Sequence, residues 1–236
     1  MDINGARVLV AGATGVLGDA LTTELVRRGA RPALAGRSPS RLAQVAHAHP
    51  EVPTAVFDAY DLTSCARAVH GATVALGGLD AVVTVFGTVA FGPAQAVGDE
   101  VAEHLVAVNY LAPAAFFRAA LGVLAPGSVI AAVTGAVAER PQPRMADYSA
   151  SKAALSAWLD AVRREARQAG IRVLDIRPGH LNTGFADRAV AGRAPPLPAG
   201  GDPHQVVEAA VDALEADAEL LRTAADGTPV AGRRTR

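Results

Sequence analysis

Short apolar runs alternate with helix-periodic segments along most of the chain. Arg7 to Ala11 is an apolar run bounded by Gly5 and Gly12, short enough to be a buried strand. Apolar residues then recur at the spacing of one helix face, and Gly29 stands where a C-cap would end that helix. A second apolar run, Pro32 to Ala35, completes a strand–helix–strand unit. The chain is therefore predicted to begin with a βαβ unit.

The same alternation continues as far as residue 176. Further helices are predicted near 38–48, 64–74, 100–124 and 149–168, and further strands near 54–57, 81–86, 128–133 and 171–176. Pro113 permits the helix near 100–124 only with a kink or a break. Strands that alternate with helices in this way predict an α/β fold with a parallel sheet. No linker divides the chain, so residues 1–236 are predicted to form a single domain.

The last part of the chain departs from this alternation. Residues 184–203 consist mostly of Gly, Ala and Pro, which predicts a flexible loop. A final amphipathic helix is predicted near 203–221. The polar tail, 224–236, is predicted to be disordered.

The composition is that of a compact and nearly neutral protein. Half of the residues are hydrophobic and 19% are charged, which provides one sizeable core. The net charge of -1 provides no field to attract nucleic acid or an anionic membrane. Cys65 is the only cysteine, so no internal disulfide or cysteine-based zinc site is expected. The first apolar stretch is too short to span a membrane, and we expect a cytoplasmic protein without a metal site.

A glycine-rich string, AGATGVLG, connects the first predicted strand to its helix. A turn this tight needs residues that are free to take positive φ, and the following helix N-terminus offers unpaired amides to a negative charge. The string predicts a pyrophosphate-binding turn of a dinucleotide site, while a glycine-rich turn without a ligand is the alternative. The residues of the predicted turn are Gly12, Thr14, Gly15, Val16, Leu17 and Gly18.

The end of the second predicted strand bears on which dinucleotide binds. An acidic side chain there would bond the adenosine ribose of NAD, but this chain has Gly36 followed by Arg37. An arginine forms charge-assisted pairs with a 2'-phosphate, so NADP(H) is the predicted cofactor. The alternative is an ordinary solvated arginine. Ser38 is predicted to cap the next helix in either case.

A tyrosine and the only lysine of the chain lie four residues apart. Tyr148 and Lys152 occur at i and i+4 of a predicted helix, so both project from one face. An ammonium beside a phenol favours the phenolate and lowers the phenol pKa. Tyr148 is therefore predicted to exchange a proton with an alcohol or carbonyl oxygen. A surface lysine beside a half-buried tyrosine is the alternative.

Taken together, these motifs resemble those of the short-chain dehydrogenase/reductase family, over nearly the whole chain to residue 221. The matches are the AGATGVLG string, Asp61 with Leu62, Gly87 after the fourth strand, Asn109 in VNY, Tyr148 and Lys152 in YSASK, and Pro178 and Gly179 in RPG followed by Thr183. The resemblance implies a Rossmann-like doubly wound parallel sheet. It also implies a homodimer or homotetramer.

The resemblance further implies roles for individual residues. Lys152 would bind the nicotinamide ribose and lower the pKa of Tyr148, and Asn109 would hold a water in a proton relay to Lys152. Asp61 and Leu62 would contact the adenine, Gly87 would close over the cofactor, and 178–183, including Leu181, would wrap the nicotinamide. The implied substrate pocket is mostly small or apolar and includes Val89, Phe91, Ala136 and His180.

The chain departs from the family pattern after the fifth predicted strand. A family serine there holds the substrate oxygen, and this chain has none. Counting forward from Gly127 assigns Thr134 to that position, whereas counting back from Tyr148 assigns Gly135. We favour Thr134, because its hydroxyl can donate the same bond. The family's NNAG string also reads TVFG here, which predicts that Phe86 fits near the cofactor.

These features lead to three functional hypotheses. The first is an NADP(H)-dependent oxidoreductase that interconverts an uncharged, moderately bulky ketone and a secondary alcohol, with Tyr148 passing the proton and Thr134 steadying the oxygen. The second is a catalytically weak NADP-binding sensor or assembly subunit. The third is a redox-neutral enzyme on the same scaffold.

Overall fold

The computed structural model describes residues 1–49 and 51–233, and the strands of this part form one eight-stranded sheet. The strands are β1 (Arg7–Ala11), β2 (Arg31–Gly36), β3 (Thr54–Val56), β4 (Ala81–Thr84), β5 (Val129–Val133), β6 (Arg172–Arg177), β7 (Leu220–Thr223) and β8 (Pro229–Gly232). Their order is β3-β2-β1-β4-β5-β6-β7-β8. Strands β1 to β7 are parallel, and β8 is antiparallel to β7.

Helices cover both faces of this sheet, so the predicted doubly wound α/β fold is confirmed. They are α1 (Val16–Arg27), α2 (Pro39–Ala48), α3 (Leu62–Leu76), α4 (Asp99–Val106), α5 (Ala112–Leu121), α6 (Ala146–Ala166) and α7 (Pro203–Glu215). Side chains alternate along β1: Val8 and Val10 face the core under α1, α2 and α7, whereas Leu9 and Ala11 face the core under α3, α5 and α6. A continuous apolar run is therefore required, because both faces of the strand are buried.

The chain reverses its direction across the sheet between β1 and β4. Strands β2 and β3 lie on one side of β1, and β4 to β7 follow on the other side. The connections after β1 and β4 therefore leave the sheet in opposite directions and open a crevice at their carboxyl ends. In open α/β sheets ligands bind at this switch point.

The helix predicted near 100–124 is interrupted as Pro113 requires. A π-helical turn, Ala107–Leu111, separates α4 from α5. Pro113 has no N–H, so the carbonyl of Asn109 loses its α-helical donor at this point. The combined helix Asp99–Leu121 is long and apolar enough to cross a membrane by length and composition, but half of its most apolar window is buried inside the protein.

Two predictions for the C-terminal region are wrong. The helix predicted to reach 221 ends at Glu215, and Leu220–Thr223 forms β7 instead. The tail predicted to be disordered forms β8, which pairs with β7 across an Asp226–Gly227 turn with Gly227 at φ +90°. Asp-Gly between two short strands is a hairpin signal that the prediction of a disordered tail did not use. The last three residues of the predicted tail lie outside the described residues.

The loop predicted over 184–203 is irregular, apart from one 3-10 turn at Ala186–Arg188. Isolated β-bridges tie it to the rest of the protein at Ala90–Ala191 and Leu181–Gly201. Its predicted flexibility stays a prediction.

Candidate active site

The turn after β1 requires glycine at two of its three glycine positions. Gly12 has a φ of +97°, and a Cβ there would lie 2.8 Å from the backbone nitrogen of Phe86, which follows β4. A Cβ on Gly18 would overlap the carbonyl oxygen of Gly12. These close approaches bring the first turn of α1 directly against the crevice between β1 and β4.

The same turn fits a diphosphate. Gly15 is the N-cap of α1, is exposed, and provides no side-chain cap to the helix amides. Uncapped first-turn amides carry the positive end of the helix dipole, which favours an anion. Val16 and Leu17 begin this helix, and Thr14 contacts the end of β2, because a Cβ on Gly36 would lie 3.2 Å from its methyl group. The predicted pyrophosphate residues therefore surround one uncapped helix end.

The ring of Phe86, which was predicted to fit near the cofactor, is half-buried directly after β4. It packs into the core, with ring centroids 4.9 Å from Phe57 and 5.9 Å from Phe116. A Cβ on Gly12 would lie 2.8 Å from the backbone nitrogen of Phe86 and 2.9 Å from the Phe86 Cβ. The aromatic side chain therefore adds core packing where the family string has amide contacts, and its place near the cofactor stays a prediction.

Arg37 lies exposed at the carboxyl end of β2, and Ser38 caps α2 as predicted. The Ser38 hydroxyl accepts a hydrogen bond from the amide of Arg41 at 3.4 Å. Burial, and then the positive charge of Arg37, lower the pKa of His104 on α4. Arg37 therefore lies on the side of the crevice that faces α4, and among the described residues it has no ion-pair partner.

Asp61 has a structural role that the resemblance did not imply. Its carboxylate accepts hydrogen bonds from the amides of Thr63 and Ser64 and pairs with Arg67 at 3.0 Å, while Leu62 begins α3. The hydrogen-bonding capacity of the Asp61 carboxylate is thus used to cap α3. Asp58 also follows β3 and lies closer to the end of that strand than Asp61 does. The sequence pattern did not indicate Asp58 as a candidate site residue.

Tyr148 and Lys152 are both buried on one turn of α6, which excludes the surface-lysine alternative. Tyr148 is 9% exposed and Lys152 is 4% exposed. The Lys152 ammonium donates to the carbonyl of Val133, at the end of β5, at 3.0 Å. The pair therefore lies at the carboxyl edge of the sheet, where the resemblance places the catalytic site.

Burial controls the protonation of both groups. It raises the pKa of the Tyr148 phenol, contrary to the expected lowering by Lys152. It lowers the pKa of the Lys152 ammonium to about 8, against an opposing effect of the negative charge of Asp175. A buried phenol thus stays protonated at neutral pH, which suits a proton donor.

Asn109 joins three segments at this edge. Its side chain accepts from the amide of Thr88 at 2.9 Å and donates to the carbonyl of Thr88 and to the Ser151 hydroxyl. A Cβ on Gly87 would lie 3.0 Å from the Asn109 amide oxygen and 3.1 Å from the Lys152 ammonium. Gly87, which follows β4, and Lys152, on α6, therefore lie close to Asn109, which belongs to a π-helical turn of the kind that often marks functional sites. The water relay stays a prediction.

The structure contradicts the assignment of Thr134 to the substrate oxygen. Thr134 is 0% exposed, and its hydroxyl donates to a carboxylate oxygen of Asp175 on β6 at 2.5 Å. The next residue, Gly135, has no side chain and a φ of +87°. Counting along the sequence did not reveal the inward orientation of the Thr134 hydroxyl, because Asp175, a buried acceptor on the neighbouring strand, decides where that hydroxyl points. Within the described residues, β5 supplies no hydroxyl to Tyr148.

Thr134→Val tests this orientation. We expect kcat to be nearly unchanged and the free energy of unfolding to fall by about 1–3 kcal/mol, because one buried oxygen of Asp175 loses its donor. Steady-state kinetics and urea denaturation on one preparation measure both, with the exposed Thr63→Val as the control. A loss of about 10²- to 10³-fold in kcat at unchanged stability would instead restore Thr134 to the site.

The segment after β6 is anchored on two sides. The carbonyl of Pro178 accepts from the amide of Ala136 at 2.8 Å, and the amide of Gly179 donates to the hydroxyl of Thr223 on β7 at 3.0 Å. Leu181 bridges to Gly201. The Thr183 amide donates to the Leu181 carbonyl. The residues predicted to wrap the nicotinamide thus lie beside the end of β5, and β7, which the sequence did not predict, helps to hold them.

An apolar cluster surrounds the Tyr148 ring. Two of the predicted pocket residues, Val89 and Phe91, belong to it, and the ring of Phe185 lies 6.3 Å from the Tyr148 ring. The cluster also contains Ala90, Leu105 and Met145, which the sequence did not single out. Ala136 and His180 are half-buried on neighbouring segments and are not members of the cluster.

Comparison with known proteins agrees with this architecture. The model of the short chain dehydrogenase family matches residues 6–194. A dehydrogenase/reductase SDR family protein 7-like of Anopheles gambiae is 29% identical over 201 residues, which cover 80% of this chain and 63% of that protein. The chain therefore spans less than two thirds of that relative.

Solved structures extend the comparison. A short chain dehydrogenase from Burkholderia cenocepacia, in complex with NADP, is 27% identical with a TM-score of 0.79, over 96% of this chain and 91% of that one. A short chain dehydrogenase/reductase from Burkholderia phymatum, in complex with NAD, is 18% identical with a TM-score of 0.81, over 91% and 87%, and shows the fold alone. The family match covers most of the chain, and the sheet, the glycine turn and the Tyr–Lys pair are all in place. This chain belongs to the short-chain dehydrogenase/reductase family.

Proposed function

We propose that the protein is an NADP(H)-dependent oxidoreductase that interconverts a ketone and a secondary alcohol. The observation that carries this proposal is the buried Tyr148–Lys152 pair, which lies at the same sheet edge as the uncapped glycine turn. The glycine turn fits the diphosphate of a dinucleotide, and the nicotinamide would supply the hydride when bound. The residues of this chain then have to bind the substrate, orient it and move one proton.

The proton step is assigned to Tyr148. Because burial raises its pKa, the phenol carries its proton at neutral pH and is ready to give it to a carbonyl oxygen. Lys152, charged below a pKa of about 8, would stabilise the phenolate that remains. This arrangement favours the direction from ketone to alcohol. The rate of reduction is expected to fall as the pH rises through that value, because the ammonium then loses its charge.

The substrate is proposed to be apolar around the reacting carbon. The Tyr148 ring packs among Val89, Phe91 and Met145, and the ring of Phe185 borders them. A lining of this kind desolvates an uncharged ketone at little cost, whereas a sugar or a polyacid would lose hydrogen bonds to water there.

NADP(H) is proposed over NAD(H) because of Arg37. It is exposed at the end of β2 and has no ion-pair partner among the described residues, and the similar Burkholderia cenocepacia structure is a complex with NADP. We expect Arg37→Ala to weaken NADPH binding by about 10-fold or more and to leave NADH binding nearly unchanged, because only NADPH carries the 2'-phosphate. Fluorescence titration of both nucleotides measures this. The exposed Arg164→Ala is the control, and an equal loss for both nucleotides would contradict the assignment.

A second candidate function is an NADP-binding protein with little turnover. The buried orientation of Thr134 favours it, because no β5 hydroxyl is left to hold the substrate oxygen. Absorbance at 340 nm with NADPH and a panel of apolar ketones separates the two candidates. Turnover that depends on Tyr148 supports the oxidoreductase, whereas tight NADPH binding without turnover across the panel supports the second candidate.

A further inference from the structure

A buried ionic cluster lies under the end of β5. The carboxylate of Asp175, on β6, is 0% exposed and accepts from the hydroxyls of Thr134 at 2.5 Å and Ser156 at 2.9 Å. Arg177 donates to the same carboxylate through two nitrogens, at 2.7 and 2.9 Å. It also pairs with Glu139 at 3.3 Å. None of these five side chains takes part in the proton step assigned to Tyr148.

Two of the contacts of Asp175 lead directly to Lys152. Ser156 lies one helical turn after Lys152 on α6, so the carboxylate lies along the same helix face. Thr134 follows Val133, whose carbonyl accepts from the Lys152 ammonium at 3.0 Å. The carboxylate therefore ties the helix that carries Lys152 to the strand end that anchors its ammonium.

We propose that Asp175 is a positioning residue for Lys152, holding the end of β5 against α6 and supplying the buried negative charge that favours the ammonium form of Lys152. This rests on the proposed function, because it assigns a purpose to the charge of Lys152. It also explains the orientation of Thr134, since Asp175 is the acceptor that holds its hydroxyl away from Tyr148.

The charged groups around Lys152 determine how strongly the Asp175 carboxylate stabilises its ammonium form. The charge of Asp175 on β6 acts on Lys152, and Tyr148 lies one turn before Lys152 on the same helix. Asp175 pairs with Arg177, Arg177 pairs with Glu139, and Glu139 also pairs with Arg222. The phenol is neutral near pH 7. Removing the charge of Asp175 leaves Arg177 only partly balanced by Glu139, so both changes disfavour the ammonium.

The chain offers a direct measurement, because Lys152 is its only lysine. Protein labelled with ¹³C at the lysine ε-carbon gives one lysine signal, and its titration reports the protonation of Lys152 alone. We expect a midpoint near 8 for the unmodified protein and a midpoint lower by about one pH unit in Asp175→Asn. The pH limb of ketone reduction that depends on Lys152 should move by the same amount.

Two further variants separate charge from structure. Ser156→Ala removes one contact of Asp175 but no charge, so its midpoint should stay within about 0.3 pH units of the unmodified protein if charge is the cause. Arg177→Gln keeps the Asp175 carboxylate and removes a cation, so the Lys152 midpoint should rise in this variant. Cooperative melting of Arg177→Gln shows that the variant is folded. General loosening would instead move every variant up, toward the water value of about 10.4.

The outcome that overturns the proposal is a Lys152 midpoint in Asp175→Asn that is the same as, or higher than, that of the unmodified protein. If Asp175→Asn does not fold, an unchanged midpoint in folded Arg177→Gln overturns it instead. The titration needs neither substrate nor turnover. A lowered midpoint in Asp175→Asn therefore supports the role of Asp175 even if the protein reduces no ketone. The missing ketone reduction would contradict only the proposed function.

Discussion

Tyr148→Phe is expected to lower kcat for ketone reduction by about 10²- to 10⁴-fold, because the phenol is the proton donor. The ring stays in its apolar surroundings, since Phe fills the same space and the Tyr148 phenol oxygen has no hydrogen-bond partner among the described residues. Stability and NADPH affinity should therefore change little. Absorbance at 340 nm measures the rate, and fluorescence titration measures the affinity of the same variant.

Tyr110→Phe is the matched control for this prediction. Tyr110 lies half-buried in the π-helical turn and follows Asn109 in the sequence. Tyr110→Phe therefore removes a phenol hydroxyl that takes no part in the proposed proton step. Near-normal turnover of Tyr148→Phe would contradict the assignment of the proton step to Tyr148. A loss of equal size in Tyr110→Phe would show that any nearby hydroxyl is needed, and not Tyr148 in particular.

Gly18→Ala is expected to abolish NADPH binding at concentrations that saturate the unmodified protein. An alanine Cβ would overlap the carbonyl oxygen of Gly12 and approach the Cα of Ala13 to 2.8 Å, and both are backbone atoms that cannot rotate away. The N-terminus of α1 must then move from the turn, and the amides that would receive the diphosphate move with it. Fluorescence titration with NADPH and thermal melting test this together.

Gly71→Ala provides the comparison for a glycine in a helix. Gly71 lies in α3, and a Cβ there meets nothing within 4 Å. Its alanine variant should bind NADPH normally and be more stable by about 0.5–1 kcal/mol, because Gly is unfavourable inside a helix. If Gly18→Ala binds NADPH as tightly as Gly71→Ala does, the glycine turn is not the cofactor site.

The absence of a β5 hydroxyl at Tyr148 has a consequence for the rate. In the family pattern a serine donates to the substrate oxygen, whereas here the hydroxyl of Thr134, directly after β5, donates to Asp175. A single donor of this kind contributes about 10²- to 10³-fold to kcat. We therefore expect slower turnover than in relatives that retain the serine, unless the substrate supplies its own internal donor.

Local pattern was sufficient for most of the fold and for part of the site. Strands buried on both faces need continuous apolar runs, so β1, β2, β4, β5 and β6 were predictable from the sequence, whereas β3 is largely exposed and was predictable only from the alternation of strands and helices. The glycines after β1 marked the crevice because only Gly tolerates such close backbone approaches. Tyr148 and Lys152 were predictable because helical spacing alone puts them on one face. The hairpin of β7 and β8 was not, because it depends on pairing with β6 and not on its own apolar content.

By itself, the sequence determined the α/β class, the glycine turn after β1 and the pairing of a tyrosine with the only lysine, since each depends on neighbours within about one supersecondary unit. Tertiary structure alone decided the protonation and orientation of the groups around that pair. Burial by distant segments raises the pKa of Tyr148. A carboxylate 41 positions away from Thr134 turns its hydroxyl inward. Such effects depend on which atoms exclude water and which acceptor lies within reach, and these are properties of packing between segments.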